Sequence, residues 1–209
     1  HDVKGGAGGR ELRKRGSLVF RGLYGKSLPF VSDVRRTSGY PSWVDSAHAE
    51  PVRFHEVALR DGLQNESTCL SPEKRAELAA LMALYGPSSL EVAAFVHPGK
   101  VPQMAGAEAL CELLQGAPWR EKVTLFGLVP NQRGFEVFSR AGLDGVTLLA
   151  SASESHSQAN VGQSRPAAFQ EALTLVENAQ SGEFLARAYV SMAFGCPFEG
   201  EISPSVVVE

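Results

Sequence analysis

From residue 52 onward, short apolar segments alternate with longer segments of helical character, and this alternation constrains the fold more than any other feature. The apolar segments are rich in residues that favour strands and show little polar alternation, as in parallel strands that are covered on both faces. Most of the longer segments begin with capping residues or end at glycine or proline. The pattern predicts an α/β fold in which helices flank a parallel sheet.

The expected boundaries follow from these signals. We expect strands over Val52–Leu59, Leu90–Val96, Val123–Val129, Val146–Ala150 and Phe184–Phe194. We expect helices over Pro72–Tyr85, Val101–Leu114, Gln132–Ala141 and Pro166–Ala179, and the start of another at Ser203-Pro204. An open doubly wound sheet and a closed (β/α)8 TIM barrel both satisfy this order, and periodicity alone does not choose between them. No strand leads into a GxGxxG fingerprint, and no P-loop is present.

Composition limits the classes of partner. Of 209 residues, 44% are hydrophobic and 21% charged, and the formal net charge is −3. These values are typical of a globular protein and give no reason to expect nucleic acid as a partner. No apolar run approaches the ~18 residues that span a bilayer, so we expect no membrane partner. The cysteines Cys69, Cys111 and Cys196 show no metal-binding spacing, which fits a reducing compartment.

Residues 1–50 differ from the rest and form a basic N-terminal extension. Between Arg10 and Arg36 the chain carries eight basic residues and two acidic ones, with serines and hydrophobic residues between them. Leaders of this composition are typical of organelle transit peptides, and a plain basic extension is the alternative. Pro41–Pro51 has the character of a linker, so we expect the folded domain to occupy residues 51–209.

Polar residues gather at the carboxyl ends of the predicted strands, where both architectures place functional sites. The first strand leads into Arg60-Asp61-Gly62. A carboxylate with carbonyl oxygens suits a hard divalent cation such as Mg²⁺ or Mn²⁺, and an adjacent arginine can stabilise an enolate oxygen. By composition alone, an ordinary polar turn at Asp61-Gly62 fits equally well. Other polar residues of the predicted strands and their ends are Gln64, Glu91, Asn131, Ser153 and Glu154.

The stretch EVALRDGLQNE (Glu56–Glu66) resembles the first-strand motif of the 3-hydroxy-3-methylglutaryl-CoA lyase family, whose members are metal-dependent TIM-barrel lyases. Four further similar segments follow in the family's order: FVHPGKVPQM, VPNQRGFE, ASASE and YVSMAFGCPFEGEISP. The resemblance runs from about Val52 to Glu209. It favours the (β/α)8 barrel over the open sheet.

The resemblance implies cleavage of an acyl-CoA substrate, 3-hydroxy-3-methylglutaryl-CoA, to acetoacetate and acetyl-CoA, in leucine degradation and ketone-body formation. With the basic leader it implies the mitochondrial matrix, with the cytoplasm or peroxisome as alternatives. By motif, Asp61 would be a ligand of Mg²⁺ or Mn²⁺, and Arg60 would be catalytic and stabilise the enolate oxygen. Gln64 and Glu91 would shape the site around them. The remaining candidates for substrate or support contacts are Asn131, Ser153 and Glu154.

The sequence also departs from the family pattern, which includes a later His-x-His element and a cysteine in a later glycine-rich loop. No two of the five histidines are two residues apart. Cys196 belongs to the fifth-strand motif, so the catalytic cysteine role is not transferred to it, and we expect a small buried residue there. We expect His97 to be structural or solvated and His55 to pack within its strand.

The chain therefore resembles about five of the eight βα units of a barrel, which would leave two parallel strand edges uncovered. A fragment, a truncated gene product and an independent protein that pairs its edges with a second copy are three explanations. We expect weak or no activity from this chain alone, because Asp61 would lack its partner ligands. Alternatives are an acyl-CoA condensing synthase of the same superfamily, and a non-catalytic isoform that associates with the full-length enzyme.

Overall fold

The computed structural model describes residues 53–208. The predictions for the extension over residues 1–50 and for the linker Pro41–Pro51 lie outside this range and stay predictions. Within it, every helix is too short or too polar to cross a membrane.

Five parallel strands alternate with helices along the described chain. The strands are β1 (His55–Glu56), β2 (Ser89–Ala94), β3 (Thr124–Leu128), β4 (Gly145–Ser151) and β5 (Leu185–Ser191). The α-helices are α1 (Pro72–Ala83), α2 (Ala107–Gln115), α3 (Gln132–Phe138), α4 (Glu154–Val161), α5 (Arg165–Ser181) and α6 (Pro204–Val208). A π-helical turn spans Ala58–Gly62, and short 3-10 turns span Pro102–Met104 and Arg120–Lys122.

The strand order decides between the two predicted architectures. Each strand pairs in parallel with the next one in the chain, which gives the order β1-β2-β3-β4-β5. A doubly wound sheet would instead reverse its strand order at a switch point. Unreversed parallel order with a helix between successive strands is the order of a (β/α)8 barrel, and this chain is an incomplete barrel of that class.

The pleat of the strands sorts apolar and polar side chains onto opposite faces of the sheet. Leu90 and Val92 of β2 belong to the main core, where they pack with apolar residues of the helices. Residues of alternate positions, such as Ser89 and Glu91, bond to side chains of other strands on the concave inner face. The same main core contains an aromatic cluster of Phe95, Phe135, Phe138 and Phe184. The polar groups of the strands are thereby directed towards the barrel axis.

The first strand is shorter than the apolar run predicted, because the chain leaves the extended conformation at Val57. The Val57 carbonyl accepts from the backbone N–H groups of Arg60, Asp61 and Gly62, which winds Ala58–Gly62 into a π-helical turn. Such turns are rare and occur frequently at functional sites. The apolar side chain of Leu59 is buried within this turn, which explains why the sequence pattern predicts a strand.

Two helices also differ from the predictions. The predicted helix over Val101–Leu114 is divided: a 3-10 turn comes first, and α2 begins only after Gly106, whose φ of 71° is left-handed. Helix α4 was not predicted, because its sequence ESHSQANV carries no apolar stripe. Ser153 nevertheless gives it an N-cap, since its side chain accepts from the backbone N–H of His156.

Candidate active site at the carboxyl end of the sheet

The π-helical turn after β1 separates Arg60 and Asp61 into two environments. Arg60 is buried, with 8% of its surface exposed, whereas the Asp61 side chain is 57% exposed. The two remain in contact, because Nη1 of Arg60 donates to Oδ1 of Asp61 over 2.7 Å. The turn thus directs a guanidinium inward and leaves the neighbouring carboxylate accessible to a ligand.

Glu91 on β2 is the buried partner of Arg60. Its side chain is fully buried; one oxygen accepts from Nε of Arg60, and the other accepts from the Thr147 hydroxyl over 2.6 Å. A buried carboxylate is tolerated when it is paired and its oxygens are hydrogen-bonded, and both conditions hold here. The pairing of β2 with β3 shifts register between Glu91 and Ala93. Irregularities of this kind occur next to active sites, where they redirect a side chain.

His55, Arg187 and Tyr189 extend this polar group on the inner face. His55 accepts or donates a hydrogen bond between Nδ1 and the Ser89 hydroxyl, over 2.7 Å, and its Nε2 lies 3.7 Å from a Glu91 oxygen. Burial and the charge of Arg187 lower the pKa of His55, although Glu91 acts in the opposite direction. Burial, followed by the nearby Glu91 charge, raises the pKa of Tyr189. The inner face is therefore an electrostatically coupled layer beneath Arg60.

The structure gives the remaining candidates local structural roles. The Asn131 side chain accepts from the backbone N–H of Gly134 and caps α3, and Ser153 caps α4. Glu154 accepts from the backbone N–H of Arg165 at the start of α5. Gln64 follows the π-helical turn and is half-buried. Arg60, Asp61 and Glu91 are joined by direct contacts, and the catalytic or ligand-binding roles of all these candidates stay predictions.

An open cleft of about 600 Å³ lies beyond the carboxyl ends of β2 and β3. Its lining includes Phe95, His97, Met104, Asn131 and Arg133. Helix α3 packs closely against the backbone here because Gly134 has no side chain. A Cβ at this position would lie 2.5 Å from the Phe95 carbonyl oxygen. The cleft combines apolar surface with amide and guanidinium groups, which suits a ligand with both apolar and anionic parts.

The expectations for Cys196, His97 and His55 are confirmed. Cys196 is buried within 3.0 Å of the Ser153 hydroxyl. Burial opposes ionisation of this thiol, but hydrogen bonds from Ser153 and from two backbone N–H groups hold its pKa below the usual value. His97 is exposed and accepts from the backbone N–H of Gly99. His55 packs edge-on against Phe126.

The described residues do not make up a complete divalent-cation site. Residues 53–208 contain no group of three His, Cys, Asp or Glu side chains placed to hold a metal ion. Asp61 supplies one accessible carboxylate, and Glu91 is already engaged by Arg60 and Thr147. A cation at Asp61 would need ligands from outside the described part of the chain.

Sequence reasoning missed Thr147 and Arg187 as members of the site. A signal was present, because each is a polar residue at an inward position of an otherwise apolar strand. Buried polar groups require partners, so such interruptions predict a polar layer inside the barrel. The identity of the partner could not be predicted, since Thr147 and Glu91 are 56 residues apart.

Comparison with known proteins gives a consistent result. The HMGL-like family model matches residues 51–209. The chain is 39% identical over 160 residues to a hydroxymethylglutaryl-CoA lyase of Pseudomonas mevalonii, a match that covers 77% of this chain and 52% of the relative. It is 39% identical over 158 residues to the mitochondrial hydroxymethylglutaryl-CoA lyase of Macaca fascicularis, covering 76% of this chain and 48% of the relative.

The fold is similar to that of an HMG-CoA lyase from Acinetobacter baumannii, solved in complex with coenzyme A and 3-methylmalate. The TM-score is 0.68 at 32% identity, over 75% of this chain and 50% of that structure. The chain therefore spans about half the length of the relatives it matches.

Proposed function

This chain belongs to the HMGL-like family, and on that premise we propose that it carries part of the active site of a carbon–carbon lyase. The proposed reaction cleaves 3-hydroxy-3-methylglutaryl-CoA to acetoacetate and acetyl-CoA. Leucine degradation and ketone-body formation are the metabolic context that this reaction would have. The reaction is proposed for an enzyme with a complete (β/α)8 barrel, and the described residues form about five of its eight βα units.

The observation that carries the proposal is the restraint of Arg60 at the carboxyl end of the sheet. Its guanidinium is buried, is paired with the fully buried Glu91, and contacts the accessible Asp61. TIM-barrel enzymes place their active sites at this end of the strands. An ordinary solvated turn would not require a buried carboxylate on a neighbouring strand to hold its arginine.

Arg60 is suited to stabilise the enolate oxygen that forms when the carbon–carbon bond breaks. A guanidinium has five N–H donors, and its contacts within residues 53–208 use two of its three nitrogens. Donors on the third nitrogen can therefore bind an oxyanion. Because Glu91 fixes the guanidinium before the reaction, little reorganisation is needed when negative charge develops. Gln64 would shape the site beside it.

A divalent cation, Mg²⁺ or Mn²⁺, is proposed for the complete enzyme, where it would polarise the substrate's oxygens. Asp61 would supply one ligand, since its carboxylate is exposed and lies next to Arg60. The remaining ligands would come from outside residues 53–208, so none of the steps assigned to this chain's residues depends on the cation. This incompleteness is the reason that we expect low activity from the chain alone.

An acyl-CoA substrate fits the cleft beyond β2 and β3. Asn131 and Arg133 could bind polar or anionic parts of the thioester chain, and apolar walls would accept its methylene groups. Ser153 and Glu154 would support the neighbouring loops through their helix caps. We propose the mitochondrial matrix as the location, supported by the basic composition of residues 10–36 and by the mitochondrial relative.

The test combines turnover with binding. The 209-residue chain is incubated with 3-hydroxy-3-methylglutaryl-CoA and Mg²⁺ or Mn²⁺, and acetoacetate and acetyl-CoA are quantified. We expect binding with little turnover. Arg60→Gln should lower the residual turnover further, because its assigned contact is to an oxygen that becomes an enolate only as the bond breaks, whereas the control Arg53→Gln, which changes an exposed arginine near β1, should not. Robust turnover would contradict the incomplete cation site, and absence of acyl-CoA binding would contradict the lyase proposal. Condensation products in place of cleavage would favour a synthase.

Association with another protein is a second candidate function, and the exposure of β5 favours it. In residues 53–208, β5 pairs only with β4, and its Leu185 and Val190 are about half exposed. The occupant of this edge would be a second copy or a full-length enzyme. Light scattering of the purified chain should show concentration-dependent association that Val190→Lys weakens. A monomer at all concentrations, with or without a full-length relative, would contradict this candidate.

A further inference from the structure

We propose that Thr147 is a positioning residue that orients the Glu91 carboxylate, so that Glu91 in turn fixes the direction of the Arg60 guanidinium. The three side chains come from β4, β2 and the turn after β1, and form one continuous chain of hydrogen bonds. The importance of this arrangement for catalysis rests on the proposed function. The positioning itself is a property of the folded chain and can be measured without turnover.

Glu91 needs a second anchor because its carboxylate is free to rotate. The terminal torsion of glutamate is broad and roughly two-fold, so packing of the stem alone does not set the plane of the two oxygens. An ionised carboxylate only accepts hydrogen bonds, and therefore the Thr147 hydroxyl is the donor in the 2.6 Å contact. Anchoring Oε2 in this way presents Oε1 to Nε of Arg60.

The surroundings of Thr147 favour a polar role over simple packing. Thr147 is completely buried on β4 between Val146 and Leu148, which lie in the apolar core. A hydroxyl at such a position is costly unless it is hydrogen-bonded, and a valine of the same shape would satisfy packing alone. His55 lies beside the same Glu91 oxygen, with its Nε2 3.7 Å away, and limits the space into which the carboxylate could turn.

The experiment follows the Nε–H signal of Arg60 in ¹⁵N-labelled 209-residue chain, assigned by its disappearance in Arg60→Lys. Thr147→Val removes the hydroxyl and keeps the shape, whereas Thr147→Ser keeps the hydroxyl. The control Thr124→Val makes the same substitution on β3, two residues before the partner of Glu91 in the sheet. We expect Thr147→Val to shift this signal and accelerate its hydrogen exchange by about five- to tenfold, the factor for one hydrogen bond.

Thr147→Ser should restore the signal, and Thr124→Val should leave it unchanged. An unaltered Arg60 signal in Thr147→Val, or failure of serine to restore it, would overturn the proposal. A second measurement does not depend on the folding of any variant. In the unmodified chain the Thr147 hydroxyl proton should exchange slowly enough to be observed, and rapid exchange would also overturn the proposal. Where lyase activity is obtained, Thr147→Val should lower kcat with little change in KM. Absence of acyl-CoA binding by the unmodified chain would count against the proposed function and leave the positioning result intact.

Discussion

Strands β2 and β5 belong to the same sheet, but they differ strongly in how the rest of the chain covers them. All six residues of β2 are buried, and it pairs with β1 on one edge and β3 on the other. Residues of β5 are exposed or half-buried, and Leu185 is 54% exposed. The two strands have similar composition, so the difference comes from their places in the sheet.

The comparison explains where the candidate chemistry is located. On β2, Glu91 can hold a buried arginine because neighbours on both sides exclude water and satisfy both of its oxygens. On β5, Arg187 lies over the Phe126 ring at 4.3 Å, and its Nη1 has no hydrogen-bond partner among residues 53–208. Both oxygens of Glu91 on the covered strand thus have hydrogen-bond partners. On the edge strand, Nη1 of Arg187 could still donate to a partner from another chain segment.

The largest expected effect on stability comes from removing the buried carboxylate of β2. Glu91→Ala should lower the free energy of unfolding by about 3–5 kcal/mol, because Arg60 would remain buried without its compensating charge. Arg187→Ala on β5 should cost only about 1 kcal/mol, the magnitude of an arginine–aromatic contact. Urea unfolding of both variants checks the difference. Equal losses would show that the two inner-face charges are held alike.

A matched pair of leucines tests the same comparison with apolar groups. Leu90→Ala on β2 should cost about 2–5 kcal/mol, because a fully buried side chain leaves a cavity. Leu185→Ala on β5 removes the same atoms from a half-exposed position and should cost about 1 kcal/mol or less. The two thermal or urea midpoints should therefore differ clearly, and similar losses would mean that β5 is covered in solution.

The same contrast shows how much of the fold could be predicted from the sequence. Strands β2, β3 and β4 are mostly apolar runs, so their existence was predicted from local pattern alone, whereas their order in the sheet was favoured only by the family resemblance. The π-helical turn was not, because Ala58 and Leu59 continue the apolar run and the turn depends on bonds to the Val57 carbonyl. Helix α4 was missed because its stability comes from caps and contacts rather than from an apolar stripe.

Part of the candidate site could be predicted as well. Arg60 and Asp61 were identified at the end of the first predicted strand and Glu91 near the start of the second, and the family resemblance suggested roles for all three. The structure joins them by direct contacts. Thr147 and His55 could not be assigned to Glu91, because cross-strand neighbours depend on register that a single sequence does not reveal. The uncovered edge of the sheet was predicted from the number of βα units. The contact of Arg187 with the Phe126 ring was not, because it depends on packing.

The smallest expected effect is that of the Arg187 charge on β5 on the protonation of His55 in β1. Burial and Arg187 lower the pKa of His55 below its ordinary value of 6.5. Between that value and the lower folded-state pKa, the unfolded chain binds the proton more readily, so stability should decrease as pH falls through this window. Above it, His55 is neutral in both states and contributes no pH dependence.

Urea unfolding from pH 7.5 to pH 5 measures this slope. His55→Gln should remove part of the decline, whereas the same substitution at the exposed His97 serves as the control. Arg187→Met should make the decline shallower, since loss of its charge brings the pKa of His55 back towards 6.5. If Arg187→Met leaves the slope unchanged, burial alone sets the protonation of His55. The edge strand would then be electrostatically separate from the site that β2 supports.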